Sequence, residues 1–111
     1  MSDTDTAIAV GSGDVPVLAT PLLVGLCEKA TVLALEDRLE PDQTSVGMRV
    51  QLEHLQPTKV GEEVRAEALL EKIEGRRLTF TVSAHDEHGL VGVARVTRVV
   101  VDRERFLEKL H

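Results

Sequence analysis

A chain of 111 residues with 42% hydrophobic residues can build one domain around one core, and is not rich enough in charge to stay disordered. Its net charge of -6 excludes a nucleic-acid backbone as the main partner, although a phosphorylated ligand needs only a local basic patch. The two aromatics, Phe80 and Phe106, leave the core to Val, Leu and Ala, and the single cysteine, Cys27, excludes an internal disulfide.

A lone cysteine inside an apolar stretch reads as a small core residue and fits a reducing, cytoplasmic setting. No apolar run approaches the roughly 20 residues of a membrane span, so no membrane partner is expected. Met1-Ser2-Asp3-Thr4-Asp5 is acidic and carries no basic n-region, so no secretory signal is expected.

Residues 1–14 form a flexible N-terminal segment or a first strand, Ala7-Ile8-Ala9-Val10, that turns at Gly11-Ser12-Gly13. The domain proper is expected over 15–111. Residues 20–38 read as a long helix with Thr20 as N-cap and Pro21 in the first turn. Leu23, Leu26, Ala30, Leu33 and Ala34 form one apolar face, and Val24, Thr31, Val32 and Leu35 most of a second. Such a helix is buried nearly all round. Glu28 falls among the second set, away from the narrow wet stripe of Gly25, Lys29 and Glu36.

After a turn at Glu40-Pro41-Asp42-Gln43 the period changes to two. Val46, Met48, Val50, Leu52 and His54 share one face of a strand. Pro57 ends it, and Gly61 marks the turn into the next. Val64, Ala66, Ala68 and Leu70 alternate with charged residues between Glu62 and Ile73. Glu74-Gly75-Arg76 turns into Leu78, Phe80, Val82 and Ala84, and Glu87-His88-Gly89 into a last strand over Val91–Val101. Residues 102–110 read as a short helix capped by Asp102. Four strands in a meander, joined by short turns, pair antiparallel. Their apolar face needs a cover, and the 20–38 helix is the only long apolar element, so an α+β sheet wrapped around one central helix is expected.

An imidazole and a carboxylate on apolar faces are costly to bury unless a partner or a function compensates. His54 and Glu28 therefore point to acid–base chemistry. His85, Asp86 and His88 cluster beside Gly89, where an ordinary turn is expected rather than a metal site.

The element order resembles the hotdog fold of acyl-CoA thioesterases and dehydratases. Thr20-Pro21-Leu22-Leu23-Val24-Gly25-Leu26-Cys27-Glu28-Lys29-Ala30 is similar to the helix of fluoroacetyl-CoA-specific thioesterase-like proteins. Ser45-Val46-Gly47 followed by His54 resembles their strand. Glu74-Gly75-Arg76-Arg77-Leu78 and Val82-Ser83-Ala84-His85-Asp86 resemble their central hairpin. The resemblance implies a thioester hydrolase acting on acyl-CoA without metal or redox cofactor, as a homodimer or a pair of dimers with the site at the subunit interface. It implies Thr20, Glu28 and His54 as the catalytic set, with Gly47 and Arg98 lining it. Arg76 and Arg77 read either as a solvated turn or as a grip on nucleotide phosphates. An aliphatic pocket suits a short or branched acyl group.

Thr20 and Glu28 are about 12 Å apart along a continuous helix, too far to meet at one carbonyl. Either one acts indirectly, or two subunits combine. Two other readings use the same fold: dehydration of a hydroxyacyl thioester, in which the threonine is idle, and a non-catalytic acyl-CoA-binding module.

Overall fold

The computed structural model describes residues 1–110. A short 3-10 turn (Asp3–Asp5) leads into α1 (Ala7–Val10) and then the long helix α2 (Thr20–Ala34). Strands β1 (Gln43–His54), β2 (Arg65–Glu74), β3 (Arg77–Asp86) and β4 (Gly89–Asp102) follow, and a short α3 (Arg103–Leu107) comes after them. The sheet is antiparallel, in the order β1-β4-β3-β2. Only β2, β3 and β4 form the expected meander. The ten-residue connection after His54 carries the chain across the sheet, so β1 pairs with β4 instead of β2 and becomes an edge strand.

β3 and β4 alternate between buried and more exposed positions, because one face packs on α2 and the other meets water. Leu78, Phe80, Val82, Ala84, Val91, Ala94 and Val96 form the buried layer. α2 meets it with Leu23, Cys27 and Thr31, spaced four apart on one stripe and fully buried. Burying Leu23 alone contributes about 2–3 kcal/mol. The Thr31 hydroxyl, forced into that apolar layer, donates to the Glu28 carbonyl at 2.6 Å and so needs no other partner. Gly75 and Gly89 stand in the left-handed region at φ 62° and 127° and close the two hairpins.

Four further expectations change. α2 ends at Ala34, with only turns over 35–38, and Val32 and Leu33 remain 47% and 56% exposed in a single protomer. The N-cap is Ala19, and Thr20 is the first helical residue, its hydroxyl bonded elsewhere. Ala7–Val10 is a helical turn and not a strand: Thr6 caps it by accepting from the Ala9 amide at 3.1 Å, and Gly11 closes it at φ 78°. Asp102 precedes α3 but makes no side-chain cap; its carboxylate pairs with Arg76.

The N-terminal segment is stitched to the body. The Met1 ammonium donates to the Glu62 carbonyl at 2.9 Å, the Ala19 amide to Asp5, and Thr6 bridges to Leu18. Among the described residues no helix is long and apolar enough to cross a membrane.

Candidate active site

α2 and the end of β1 converge at one point. The Thr20 hydroxyl lies 2.9 Å from Nδ1 of His54. Thr20 reaches it from the first turn of α2, which begins there because Ala19 is extended and Pro21 fits the next position. His54 is the last residue of β1, opposite Gly92 of β4. Its Nε2 is shielded from solvent and has no hydrogen-bond partner among the described residues. With Nδ1 accepting from Thr20, Nε2 carries the ring proton. Whichever tautomer the ring adopts, a buried Nε2 without a partner costs about 1–3 kcal/mol.

Beside the pair opens a cleft of about 330 Å³. Val15, Val17 and Leu18 line it from the N-terminal side, and Leu55 and Pro57 from the loop after β1. Ser12, Asp14 and Gln56 bring polar atoms to it. Sequence reasoning assigned none of these lining residues to a site: Ser12 and Pro57 read only as turn and strand-end signals, and the N-terminal segment and the crossing loop have no periodicity to read.

Glu28 lies elsewhere. Its carboxylate sits over Gly47: a Cβ there would come within 2.5 Å of Oε2. Gly47 thus admits a side chain as well as permitting a bulge, because Gly47 pairs with Arg98 and Arg49 with Thr97, leaving Met48 as the extra residue. The expected common face from Val46 to His54 is therefore broken at Met48, which is 50% exposed. Arg98 is buried on the helix-facing side, donating through Nε to the Ser45 hydroxyl (2.9 Å) and through Nη2 to the Ser45 carbonyl (3.1 Å). Its Nη1 stands 3.7 Å from Glu28 Oε2. Burial pulls the Arg98 guanidinium below its usual range, and the Glu28 carboxylate pushes it back up. It stays a cation at any working pH. Ser45 is the residue of this group to which sequence reasoning assigned no role.

One protomer thus holds two separate clusters, Thr20–His54 and Gly47–Glu28–Arg98. Gly47 and His54 are separated by about 23 Å of extended strand. Glu28 is 38% exposed in the protomer, so the expectation that its own helix face hides it from water is not met. That face is open where a second subunit would pack.

Arg76 and Arg77 flank the β2–β3 hairpin at the Gly47 end of the sheet. Arg76 reaches Asp102 at 3.5 Å and the Val100 carbonyl at 3.4 Å. Asp86 and His88 serve local structure, and His85 is exposed on β3. Asp86 accepts from the Thr58 hydroxyl and the His88 amide, both at 2.8 Å, and His88 Nε2 meets Glu62 Oε1 at 2.7 Å. Cys27 is buried in the core, and burial pushes its thiol up.

Comparison with known proteins points one way. The family model of the fluoroacetyl-CoA-specific thioesterase matches residues 1–104. The fluoroacetyl-CoA thioesterase of Streptantibioticus cattleyicolor is 39% identical over 94 residues, 85% of this chain and 68% of that protein. The crystal structure of a point mutant of the fluoroacetyl-CoA-specific thioesterase, in complex with fluoroacetate and CoA, superposes with a TM-score of 0.90 at 33% identity, covering 98% of this chain and 90% of that one. A hot-dog-like protein from Thermanaerovibrio acidaminovorans gives a TM-score of 0.86 at 25% identity, covering 100% and 85%.

Proposed function

Because the chain belongs to the fluoroacetyl-CoA-specific thioesterase family, and so is a thioester hydrolase of the hotdog fold, we propose that it cleaves a short or branched acyl-CoA at two composite sites of a homodimer. The observation that carries this reading is the 2.9 Å contact between the Thr20 hydroxyl and His54 Nδ1. A hydroxyl beside an imidazole is the arrangement an activated nucleophile needs.

In the proposed reaction Thr20 Oγ attacks the thioester carbonyl while its proton passes to His54 Nδ1. The C–S bond breaks, and the CoA sulfur leaves with the proton from His54. Water, deprotonated by the same imidazole, then releases the acid from Thr20. In a dehydratase Thr20 would be idle, whereas here its hydroxyl occupies the base, which supports hydrolysis. A metal ion or redox cofactor has no step in this sequence. The aliphatic walls of the cleft suit a small apolar acyl group.

The second half-site comes from the partner. β1 is an edge strand with an unpaired side. Antiparallel pairing of two β1 edges about a two-fold axis through Gln51 sets Val50 against Leu52 of the partner subunit and brings His54 to the bulge at Gly47 and Met48 of the partner subunit. The bulge matters here. Gly47 and His54 are an odd number of residues apart, so a regular strand would turn them to opposite faces; the extra residue at Met48 returns both to the helix-facing side. The same register puts Arg49 opposite Glu53 of the partner subunit, unlike charges on the exposed face.

Glu28 of one subunit then faces the thioester bound at Thr20 and His54 of the other, where its carboxylate orients the reacting groups and balances the charged imidazole. Arg76 and Arg77, at the Gly47 end, lie near the partner's His54 and are placed for the CoA phosphates. A buried, unpaired Cys27 supports a reducing cytoplasm as the setting.

Mixing two dead variants tests the composite site. His54→Ala and Glu28→Ala proteins, allowed to exchange subunits, form heterodimers in which one site is intact and the other lacks both groups. The mixture should regain about a quarter of wild-type thiol release, since random pairing makes half the dimers mixed and each carries one good site. No recovery, with exchange demonstrated, places the whole site in one protomer.

A further inference from the structure

Gly92 is the point at which α2 comes down onto the sheet. It stands opposite His54 in the β1–β4 ladder and opposite Ala84 in the β3–β4 ladder. A Cβ at this position would lie 2.9 Å from the Glu53 carbonyl oxygen and 3.0 Å from Cδ2 of Leu23. The first neighbour is backbone, and the second is a fully buried side chain of the core layer, so neither is free to swing aside. Gly92 is not among the residues at positive φ, so its backbone does not require glycine. A glycine inside a strand weakens it, and what this one provides is room.

That room belongs to the catalytic pair. Leu23 is one turn along α2 from Thr20, and Glu53 is the residue before His54. Both neighbours that press on Gly92 are therefore fastened directly to the two groups that must meet at 2.9 Å. We propose that Gly92 is a positioning residue for hydrolysis: by presenting only a hydrogen, it seats the first turn of α2 and the end of β1 at the depth where Thr20 reaches His54. The inference rests on the reading of Thr20 and His54 as the reacting pair. A Cβ needs some tenths of an ångström more from each neighbour, and displacing catalytic groups by about 1 Å can cost 100-fold.

The test uses Gly92→Ala, Leu23→Val and their double variant, each assayed for thiol release with a thermal melt alongside. Gly92→Ala is expected to lower kcat by about tenfold, with KM changed less than about twofold, since the acyl cleft is untouched. Leu23→Val removes the terminal methyl that meets the new Cβ. The contact with the Glu53 carbonyl remains, so the double variant should recover part of the lost kcat relative to Leu23→Val, while its melting temperature falls further. Recovery of rate with loss of stability is an outcome that a purely structural role cannot produce. If Gly92→Ala alone fails to fold, the double variant against Leu23→Val carries the comparison. A folded Gly92→Ala enzyme at wild-type kcat, or a double variant that regains no rate at all relative to Leu23→Val, overturns the proposal. The two readings fail separately: His54→Ala at the wild-type rate removes the catalytic pair itself, whereas an inactive His54→Ala beside a fully active Gly92→Ala removes only the role of Gly92.

Discussion

At the scale of single residues, the proposed chemistry turns on which atom of His54 is free to work. Nε2 is shielded and unpaired, and Nδ1 faces the Thr20 hydroxyl. Truncating the ring in His54→Ala should lower kcat by about 10²–10⁴-fold, the range for removing a positioned base. Thr20 separates nucleophile from helix former. Ala19 is the N-cap, so the Thr20 hydroxyl has no capping duty. Thr20→Ala is expected to lose turnover nearly as fully as His54→Ala, while Thr20→Ser keeps the oxygen and stays within about tenfold of wild type. Steady-state thiol release with matched melting curves distinguishes these, and an active Thr20→Ala enzyme would leave the hydroxyl without a catalytic role. By type and place the sequence singled out His54 and Glu28; Thr20 joined them only through the family resemblance, and its contact with His54 is present in the fold. The position of Glu28 was not legible. Helical spacing gives its angle around α2, but not that Gly47 would open a seat for the carboxylate, nor that Arg98 would be buried beneath it.

At the scale of elements, alternation made β3 and β4 readable because their two faces meet such different surroundings. The four apolar residues of α1 carry too little periodicity to tell strand from helix; the signal lay outside them, in Thr6 and Gly11. The pairing of β1 with β4 is a long-range closure that no local pattern records. The loop between β1 and β2 shows what holds that closure. Desolvation works to raise the Asp86 carboxyl, yet hydrogen bonds from the Thr58 hydroxyl and the His88 and Gly89 amides, with the charge of His88, outweigh it and hold Asp86 below its ordinary range. The folded state thus binds this proton more weakly than the unfolded chain. Its stabilisation is full above the unfolded value of about 3.9, and is lost as pH falls through the folded value. Asp86→Asn should be less stable than wild type at neutral pH, and the gap should close as pH is lowered from about 5 toward about 3. Urea midpoints across that range check it; a constant gap would mean that the charge of Asp86 contributes nothing to the loop.

At the scale of the whole molecule, a single protomer carries every group of the proposed reaction, and places them at opposite ends of β1. Glu28 is over a third exposed, and Val32, Leu33 and Met48 are about half exposed, on surfaces a lone hotdog protomer leaves uncovered. The register that joins the halves makes a sharp geometric demand: Gln51 must lie on the two-fold axis. Directly opposed residues in an antiparallel pair have Cα atoms about 4.5–5.5 Å apart, inside the reach of a disulfide. Gln51 is exposed, and the one native thiol, Cys27, is buried and far from reaction with it. Gln51→Cys should therefore cross-link to its own copy under mild oxidation and run as a dimer on a non-reducing gel. Arg49→Cys or Glu53→Cys alone should not, because each is opposed to the other and not to itself. The cross-linked enzyme should also keep its specific activity on dilution, while the reduced form loses activity as it dissociates into protomers that hold half-sites only. Efficient self-linking at Arg49 instead would move the axis along β1, carry His54 past the Gly47 bulge, and separate the two halves that the proposed chemistry brings together.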